Sequence, residues 1–525
     1  MLTTISMGLG GLGLFLLGMV LLTDGLKALA GGSLRAILTK TVRGPYSGMV
    51  AGAGITALVQ SSSATTLATI GFVSAGLIGF LPAVGVVLGS NIGTTSTGWL
   101  VSVLGLKFSI SAFAMPLVFA GVMIRLLVKG RGASAGLALA GFGLLFMGLS
   151  GLQESMSGLA ERIDPQSLPG EGFVGRLILV GVGFAMTVVT QSSSAALATT
   201  LTALDSGAID FERATALVIG QNMGTTLTAG IAAIGASVAA KRTALVHVLF
   251  NLMLGLLLIA ILTPFLMLLM RGLDLVDVGP GVIALATFQT SCKVLGVLLV
   301  LPVLKPFAGL VERIIPERSV SPTRFLDRSV SEIGDVAAEA ARRSAAETLR
   351  ELVVASGAGH AVMASERAKA ATTTIREFLA KLARESQTNA EVNRNLSTLH
   401  AVDHIERLAG NAEAIAKIPR IERVKEVQDR YAEMRRLALA WLDDPSQPSP
   451  APELGRLAGE IAELRISGRR SVLAKAAKGQ IAGHEVAAHT EAMIHMDRAA
   501  YHIWRAVHHL DPSTPEPMVD PDTHD

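Results

Sequence analysis

The chain carries the phrase Gln60-Ser61-Ser62-Ser63-Ala64-Thr65-Thr66 and, further on, the near-copy Gln191-Ser192-Ser193-Ser194-Ala195-Ala196-Leu197. A second pair of phrases is centred on an Asn 31 residues after each Gln: Gly89-Ser90-Asn91-Ile92-Gly93-Thr94-Thr95 and Gly220-Gln221-Asn222-Met223-Gly224-Thr225-Thr226. Both pairs have the same offset, since 191 − 60 and 222 − 91 each equal 131. The chain therefore contains an internal repeat whose unit carries two polar clusters in fixed register.

These polar clusters interrupt otherwise apolar runs. In hydrocarbon, each hydroxyl, amide and unwound backbone group has to find an internal partner or line a wet cavity, because no water replaces the lost hydrogen bonds. Paired polar segments interrupted by Gly in two halves of a chain are typical of a transporter's substrate site. The alternative is that Ser, Thr and Gly merely allow close helix packing, which explains one cluster more readily than four in duplicate register.

Composition divides the chain into two parts. It has 525 residues, of which 50% are hydrophobic, and a mean hydropathy of +0.51, yet the last two hundred residues are rich in charge. This asymmetry indicates a membrane domain over 1–310 and a soluble domain over 320–512. The net charge of +3 is too small to suggest a nucleic-acid partner. The single cysteine, Cys292, excludes an internal disulfide and a cysteine-based zinc site.

The apolar half is expected to be all-α and polytopic. A membrane-spanning helix needs ~20 apolar residues, and by that measure seven spans are predicted: 5–28, 82–104, 107–128, 133–152, 213–236, 243–270 and 282–304. No Lys or Arg precedes the first run, so it reads as a retained span rather than a cleaved signal peptide. The two segments around the Gln-Ser-Ser-Ser phrases, 46–79 and 177–208, are each broken in the middle, which predicts two re-entrant hairpins.

The charged loops predict the orientation of these spans. The N-terminus is expected outside and the soluble domain in the cytoplasm, because the inside loops then carry the bias toward basic residues: Lys27, Arg35, Lys40, Arg43, Arg125, Lys129, Arg131, Lys241, Arg242 and Lys305. Three spans, an odd number, separate the two hairpins, so the hairpins enter from opposite faces. This gives inverted repeats, about 46–152 and 177–305, that meet at a site near the midplane of the membrane.

The residue types indicate what such a site binds. A broken hairpin exposes helix N-termini, whose free N–H groups attract anions, and serine hydroxyls donate to the same anion. Gln and Asn carbonyls and Thr hydroxyls suit a hard cation such as sodium. No carboxylate lies in the four clusters, which disfavours a proton relay through them.

The twin phrases resemble those of the type II sodium/phosphate cotransporters, whose bacterial members often add a cytoplasmic PhoU-like domain. The resemblance covers both halves of the membrane domain. It implies a set of residues that bind phosphate: Gln60, Ser61, Ser62, Ser63, Gln191, Ser192, Ser193 and Ser194. It further implies a set that completes the sodium shell: Thr65, Asn91, Thr94, Thr95, Asn222, Thr225 and Thr226.

Two further phrases bear on this resemblance. His247-Val248-Leu249-Phe250-Asn251 is similar to a helix motif of the family, and an interhelical hydrogen bond is expected for His247 rather than ligand contact. Lys293 stands where another His and Asn are expected. A charge in mid-span costs at least ~2.5–3.5 kcal/mol on insertion scales. The hypothesis is that Lys293 binds the anion or stands where a relative holds a cation; the alternative is a lysine that snorkels or pairs with a carbonyl.

The soluble domain is predicted to be a helical bundle. About six helices are expected over 320–512, three on each side of a middle turn, with breaks at 356–359, near 386–388, at 418–419 and at 443–450. This pattern resembles the PhoU fold of two three-helix bundles. The Pro- and Asp-rich segment 513–525 is expected to be disordered.

The carboxylate pairs that bind metal in PhoU proteins are incomplete here. The segment from Asp403 to Asn411 is similar to the PhoU motif, but Gly410 replaces its closing Asp, and Tyr501 does so in a second candidate. No metal is therefore expected there. His495 and His502, seven residues apart on one helix face, leave open a separate metal site, against which stands an ordinary surface or packing role.

Together these features favour a carrier of the inner (plasma) membrane that imports inorganic phosphate with sodium by alternating access, regulated by its cytoplasmic domain. The expected partners are phosphate, sodium and the lipid bilayer, with no organic cofactor; a homo-oligomer or a regulatory partner of the cytoplasmic domain stays open. Three alternatives remain: a phosphate sensor with little flux, a carrier of another small oxyanion, and export. An enzyme is disfavoured, because no His, Lys or Asp lies at a fixed local spacing to activate the serines.

Overall fold

The structure is a computed structural model that describes all residues except 1, 108–112, 162–171, 235–236, 317–320, 327–333, 357–360, 383–388, 417–424 and 512–525. The described residues are almost entirely helical, with no β-strand among them. The chain divides into two compact units, one of residues 1–73 and 77–317, the other of residues 318–525 with 74–76. The predicted tail 513–525 lies outside the described residues.

The first unit contains thirteen α-helices within its described part. They are α1 Leu2–Thr41, α2 Pro45–Val59, α3 Ser62–Ser74, α4 Phe80–Gly93, α5 Thr95–Trp99, α6 Ala114–Leu127, α7 Arg131–Ala160, α8 Gly172–Thr190, α9 Ser193–Asp205, α10 Phe211–Ala232, α11 Val238–Asp274, α12 Val282–Val300 and α13 Leu304–Ile314. A π-helical segment over Leu100–Lys107 follows α5, and a 3₁₀ turn over Leu301–Val303 joins α12 to α13.

Five of the described helical stretches are long and apolar enough to cross a membrane: Thr3–Ala30, Arg131–Ala160, Gly172–Thr190, Val238–Asp274 and Val282–Ile314. Four of these coincide with predicted spans. The remaining one, Gly172–Thr190, is the first arm of the predicted second hairpin.

The other three predicted spans are not among these five stretches. The expected continuous span 82–104 consists of α4, α5 and the π-helical segment. Its break falls where Thr94 and Thr95 turn their hydroxyls back onto the carbonyls of Ser90 and Ile92, both at 2.8 Å, and so compete with backbone donors. The span predicted over 213–236 is α10, which is a helix but carries too many amides and hydroxyls to count as apolar. Only 114–127 of the predicted span 107–128 is described as α-helix, with 108–112 outside the described residues.

The internal repeat is visible in the packing of helices. In the first copy α2 packs on α4, and in the second α8 packs on α10. Gly52 lies against the Val86 carbonyl, and Gly183 lies in the same way against the Leu217 carbonyl. Gly183 and Leu217 are each 131 residues after their counterparts in the first pair. Gly89 and Gly220 repeat the pattern on the opposite helix, against the carbonyls of Met49 and Val180. An added Cβ would collide with backbone at all four positions, so glycine allows the same close helix contact in both copies.

The second unit contains six helices within its described part: α14 Gly334–Ala355, α15 Ala361–Leu382, α16 Asn389–Ala416, α17 Lys425–Asp443, α18 Ala451–Ala477 and α19 Gly483–Leu510. Helices α14, α15 and α16 pack on one another, as α17 and α18 do with α19, and α16 packs along α19. The predicted breaks near 386–388 and at 418–419 lie outside the described residues. The resemblance to PhoU stays a prediction.

Candidate functional site

Each Gln-Ser-Ser-Ser phrase breaks a helix at its Gln. Gln60 separates α2 from α3 with φ 58°, and Gln191 separates α8 from α9 with φ 52°. Both lie in the left-handed region, which a residue with a Cβ occupies at a cost of order 1–3 kcal/mol. Among the described residues only Asp277 shares this feature outside glycine. The same strained conformation at both repeat positions makes these two breaks candidates for the functional site.

The first serine of each phrase caps the helix that follows. Ser61 Oγ accepts a hydrogen bond from the Ala64 N–H, and Ser192 Oγ accepts one from the Ala195 N–H, each at 3.2 Å. The N-terminal end of each following helix thereby lies at the break, and its first turn contains further serines. Such an end attracts anions through its N–H groups and its dipole.

The two breaks meet at one cavity of about 580 Å³. Both Gln-Ser-Ser-Ser phrases line it in full, Gln60 to Ser63 from one repeat and Gln191 to Ser194 from the other. Other polar residues complete its wall: Thr23, Asp24, Lys27, Thr66, Thr187, Thr190, Thr225, Thr228 and His247. The arrangement places hydroxyls and two helix N-termini around a space large enough for a small oxyanion.

One of the seven sodium-binding residues predicted from the sequence lines the cavity, and the other six do not. Thr225 lines the cavity. The others are not on its wall: Thr65, Asn91, Thr94, Thr95, Asn222 and Thr226. Thr65 is buried and accepts a 2.9 Å hydrogen bond from Thr56 Oγ1. Of this predicted set, the structure therefore brings Thr225 to the cavity wall.

The two repeats differ in how the Gln side chain is held. Gln60 Nε2 donates to Ser96 Oγ at 2.9 Å and to the Ala57 carbonyl at 2.5 Å, and its Oε1 accepts from Thr97 Oγ1 at 2.9 Å. Gln191 Nε2 donates to the Val188 carbonyl at 2.6 Å, and its side chain is exposed. The first break is therefore fastened to α5, whereas the second Gln is open to the cavity.

Lys293 lies in a chain of polar contacts away from the cavity wall. It is 3% exposed, and its Nζ donates to Asn251 Oδ1 at 2.6 Å and to Asn91 Oδ1 at 3.2 Å. Asn251 Nδ2 lies 3.3 Å from His247 Nε2, which lies 3.3 Å from Thr225 Oγ1. His247 and Thr225 both line the cavity, so this chain of contacts joins Lys293 to the wall through α11.

Sequence reasoning missed two residues of the cavity wall, Asp24 and Lys27, and a buried contact of Gln221. Asp24 on α1 was not singled out, and Lys27 was taken as a loop residue, because α1 was expected to end near residue 28, whereas the helix runs to Thr41. An isolated carboxylate within the first apolar run was the signal that could have identified Asp24. Gln221 is 2% exposed and donates to Thr200 Oγ1 at 2.7 Å, which ties α10 to α9 behind the second phrase.

The second unit holds buried histidines between α16 and α19. Nδ1 of His404 and Nδ1 of His502 are 3.1 Å apart, and the His400 ring stacks on His509. His495, expected to share a face with His502, contacts Asn411 Oδ1 at 3.1 Å instead. In the described part of the chain no three His, Cys, Asp or Glu side chains converge as a metal site.

His404 and His502 remain neutral at physiological pH. Burial lowers the pKa of His404 to about 2, helped by the neighbouring His502, His509 and Arg505. Burial also lowers the pKa of His502 to about 4, with Arg407 adding to the effect. These side chains therefore act as packing groups and neutral hydrogen-bonding partners in the bundle.

Comparisons with known proteins give a family model that matches within the first unit, and several relatives. The family model described as Na+/Pi-cotransporter matches residues 14–154 and 173–291. The Escherichia coli protein named "Putative inorganic phosphate export protein YjbB" is 30% identical over 349 residues, which are 65% of this chain and 62% of that protein. The chain thus spans less than two thirds of that relative's length.

Two shorter matches extend this picture. The Bacillus subtilis protein YqeW is 28% identical over 304 residues, which are 58% of this chain and 96% of that protein. The rat sodium-dependent phosphate transport protein 2A is 36% identical over 99 residues, 18% of this chain and 15% of that protein. No solved structure matches the chain.

Proposed function

We propose, from the premise that the chain belongs to the Na+/Pi-cotransporter family, that it carries inorganic phosphate across a membrane in step with sodium. The observation that supports this is the convergence of both Gln-Ser-Ser-Ser breaks on one cavity. Phosphate would lie between the two helix N-termini, where it would accept hydrogen bonds from backbone N–H groups and serine hydroxyls. The phosphate-binding set is Gln60, Ser61, Ser62, Ser63, Gln191, Ser192, Ser193 and Ser194.

Sodium would be held next to this anion by neutral oxygens. Amide carbonyls and hydroxyls are suitable ligands for a hard cation, and the proposed residues are Thr65, Asn91, Thr94, Thr95, Asn222, Thr225 and Thr226. Their threonine hydroxyls donate back to carbonyls of their own helices, as Thr94 does to Ser90 and Thr226 to Met223. Because the hydrogen of each hydroxyl is used in this way, the hydroxyl oxygen offers its lone pairs to a ligand such as a cation.

The lengths of α2 and α3 support a re-entrant arrangement for the first pair of helices. At 1.5 Å per residue, the 15 residues of α2 extend about 22 Å and the 13 residues of α3 about 20 Å, short of the ~30 Å hydrocarbon layer. A pair of helices of this length that turns at Gln60 would enter and leave on one side. α9 is as short as α3, with 13 residues, whereas α8 has 19 residues, extends about 28 Å and is long enough to cross. For the second pair the arrangement therefore rests on the internal repeat: α8 and α9 would enter from the other side, and the cavity would be reached alternately from each face.

The direction of transport follows from the gradients rather than from the site. The sodium gradient of a cell favours import with sodium, while the name of the Escherichia coli relative refers to export. A carrier with one cavity runs either way by reversal of the same steps. We propose import as the working direction, with the N-terminus outside and the second unit in the cytoplasm as a regulatory domain.

The test is uptake of radiolabelled phosphate into proteoliposomes that contain the purified protein. An inward sodium gradient is compared with matched potassium and choline gradients, and an outward gradient tests export. Sodium-dependent accumulation is expected. Ser62→Ala and Ser193→Ala should each remove most of it, whereas Ser150→Ala, on α7 away from the cavity, should not. Folded protein with no flux under any gradient would overturn the proposal and favour a phosphate sensor.

A further inference from the structure

The amino group of Lys293 is buried, and both of its described partners are neutral. Nζ contacts the amide oxygens of Asn251 and Asn91, at 2.6 Å and 3.2 Å, and no carboxylate of the described residues forms an ion pair with it. A charge that leaves water for the interior of a membrane protein is costly unless polar groups solvate it. The two amide oxygens are therefore the groups that hold this charge in place.

Both amides are held in an orientation that suits a positive charge by hydrogen bonds that do not involve Lys293. Asn91 Nδ2 donates to the Val87 carbonyl, and Asn251 Nδ2 donates to the His247 carbonyl, each at 3.0 Å and one turn back on its own helix. These bonds fix which end of each amide faces inward. Two carbonyl oxygens, from α4 and from α11, consequently converge on one point, and oxygen atoms of this kind are what a hard monovalent cation takes as ligands.

We infer that the Lys293 ammonium is a built-in cation that takes the place of a sodium ion between Asn91 and Asn251, so that Asn91, of the sodium-binding set proposed above, holds the ammonium in this chain. In this role the positive charge between the two amide oxygens replaces the charge of a sodium ion. The consequence for transport, which rests on the proposed function, is that this chain couples phosphate to one sodium ion fewer than the same fold with a neutral residue at 293.

The site also lies close enough to the cavity to influence an anion there. Asn251 contacts His247, and His247 lines the cavity and contacts Thr225 on the same wall. Two successive side chains, Asn251 and His247, thus connect the charge to the cavity. A bound anion would experience it in every cycle, whereas a dissociable sodium ion would be present only when its concentration allowed.

The test counts sodium ions bound to purified protein in detergent, by equilibrium binding of radioactive sodium without phosphate. Lys293→Met removes the charge and keeps the length of the side chain. We expect it to bind one sodium ion more than the wild type, and the second change Asn91→Leu should abolish that gain. Lys293→Arg, which keeps the charge, should bind as many ions as the wild type. A Lys293→Met protein with the wild-type count overturns the inference.

Failure to fold is also decisive. If Lys293→Met and Lys293→Gln fold in sodium but not in potassium, the ion has taken the place of the ammonium, as inferred. If both variants fold in neither salt, sodium cannot replace the ammonium, and the inference is overturned. The sodium count requires no transport, so a wild type without phosphate flux would refute the proposed function while this inference stood or fell on the count alone.

Discussion

Thr97 donates a 2.9 Å hydrogen bond to the side-chain carbonyl of Gln60, whose amide also donates to Ser96, so the first helix break is tied to α5. The equivalent Gln191 donates to the Val188 carbonyl on its own helix and is exposed. Two residues with the same backbone conformation therefore differ in what their side chains stabilise.

This difference predicts unequal effects of truncation. Gln60→Ala removes three hydrogen bonds, each worth about 0.5–1.5 kcal/mol net, and should lower the stability of the purified protein by about 2 kcal/mol or more. Gln191→Ala removes one and should cost less than about 1 kcal/mol. The left-handed backbone strain that Ala inherits is the same in both, so it cancels in the comparison. Thermal unfolding in detergent measures both variants, and equal losses would contradict the prediction.

The repeated glycine contacts predict a second pair of effects. Gly52→Ala and Gly183→Ala each place a Cβ against a backbone carbonyl of the facing helix, and such overpacking costs typically about 1–3 kcal/mol. Both should lower the yield of folded protein and its unfolding temperature.

The chain offers matched controls on the same helices. A Cβ at Gly54 of α2 or at Gly181 of α8 would have nothing within 4 Å. Ala at these positions should be neutral or stabilise the helix by up to about 1 kcal/mol. Size-exclusion profiles and unfolding temperatures of the four variants check the prediction. It would be contradicted if the control variants were as damaged as the other two.

Local sequence pattern was enough to predict the two helix breaks and to expect them together, because a polar phrase in an apolar run has few ways to satisfy its groups and the phrase occurs twice in register. It did not reveal the partners of Lys293, because Asn91 and Asn251 are distant in sequence and meet it only when α4, α11 and α12 pack. It also placed the end of α1 too early. Gly31-Gly32 suggests a helix end, but the helix continues to Thr41, with Leu38 fully buried against the rest of the unit.

The buried histidines of the second unit predict that its stability depends on pH. The pKa of His404, about 2, and that of His502, about 4, are both below the value of about 6.5 for an unfolded chain. As pH falls below 6.5, the unfolded state takes up protons that the folded state does not. Stability is therefore full above pH 6.5 and should fall by about 1.4 kcal/mol per pH unit for each histidine, down to about pH 4.

Tryptophan fluorescence can follow this unit by itself. The chain has three tryptophans, and Trp99→Phe leaves Trp441 and Trp504, both in the second unit. Unfolding in this background should become easier between pH 7 and pH 5. The double change His404→Gln and His502→Gln should flatten that dependence. A steep dependence that survived the double change would assign it to other groups.

Two opposite charges on α1, Asp24 and Lys27, line the cavity three residues apart on one helix face. An anion in the cavity is attracted by the ammonium and repelled by the carboxylate. At the high effective dielectric of an open cavity, each interaction is worth on the order of 1 kcal/mol or less. Lys27→Gln should therefore raise the half-saturating phosphate concentration about two- to five-fold, and Asp24→Asn should lower it by a similar factor.

Phosphate uptake at fixed sodium concentration measures both shifts, with Lys129→Gln, an exposed residue away from the cavity, as the control that should change nothing. Because the effect is electrostatic, added choline chloride should reduce both shifts as it shortens the screening length, which is about 10 Å at 0.1 M salt. The opposite signs distinguish this account from a steric one, since two polar substitutions of similar size on one face of α1 would disturb packing in the same direction. Shifts of equal sign, insensitive to salt, would show that Asp24 and Lys27 position α1 and do not act on the anion through their charge.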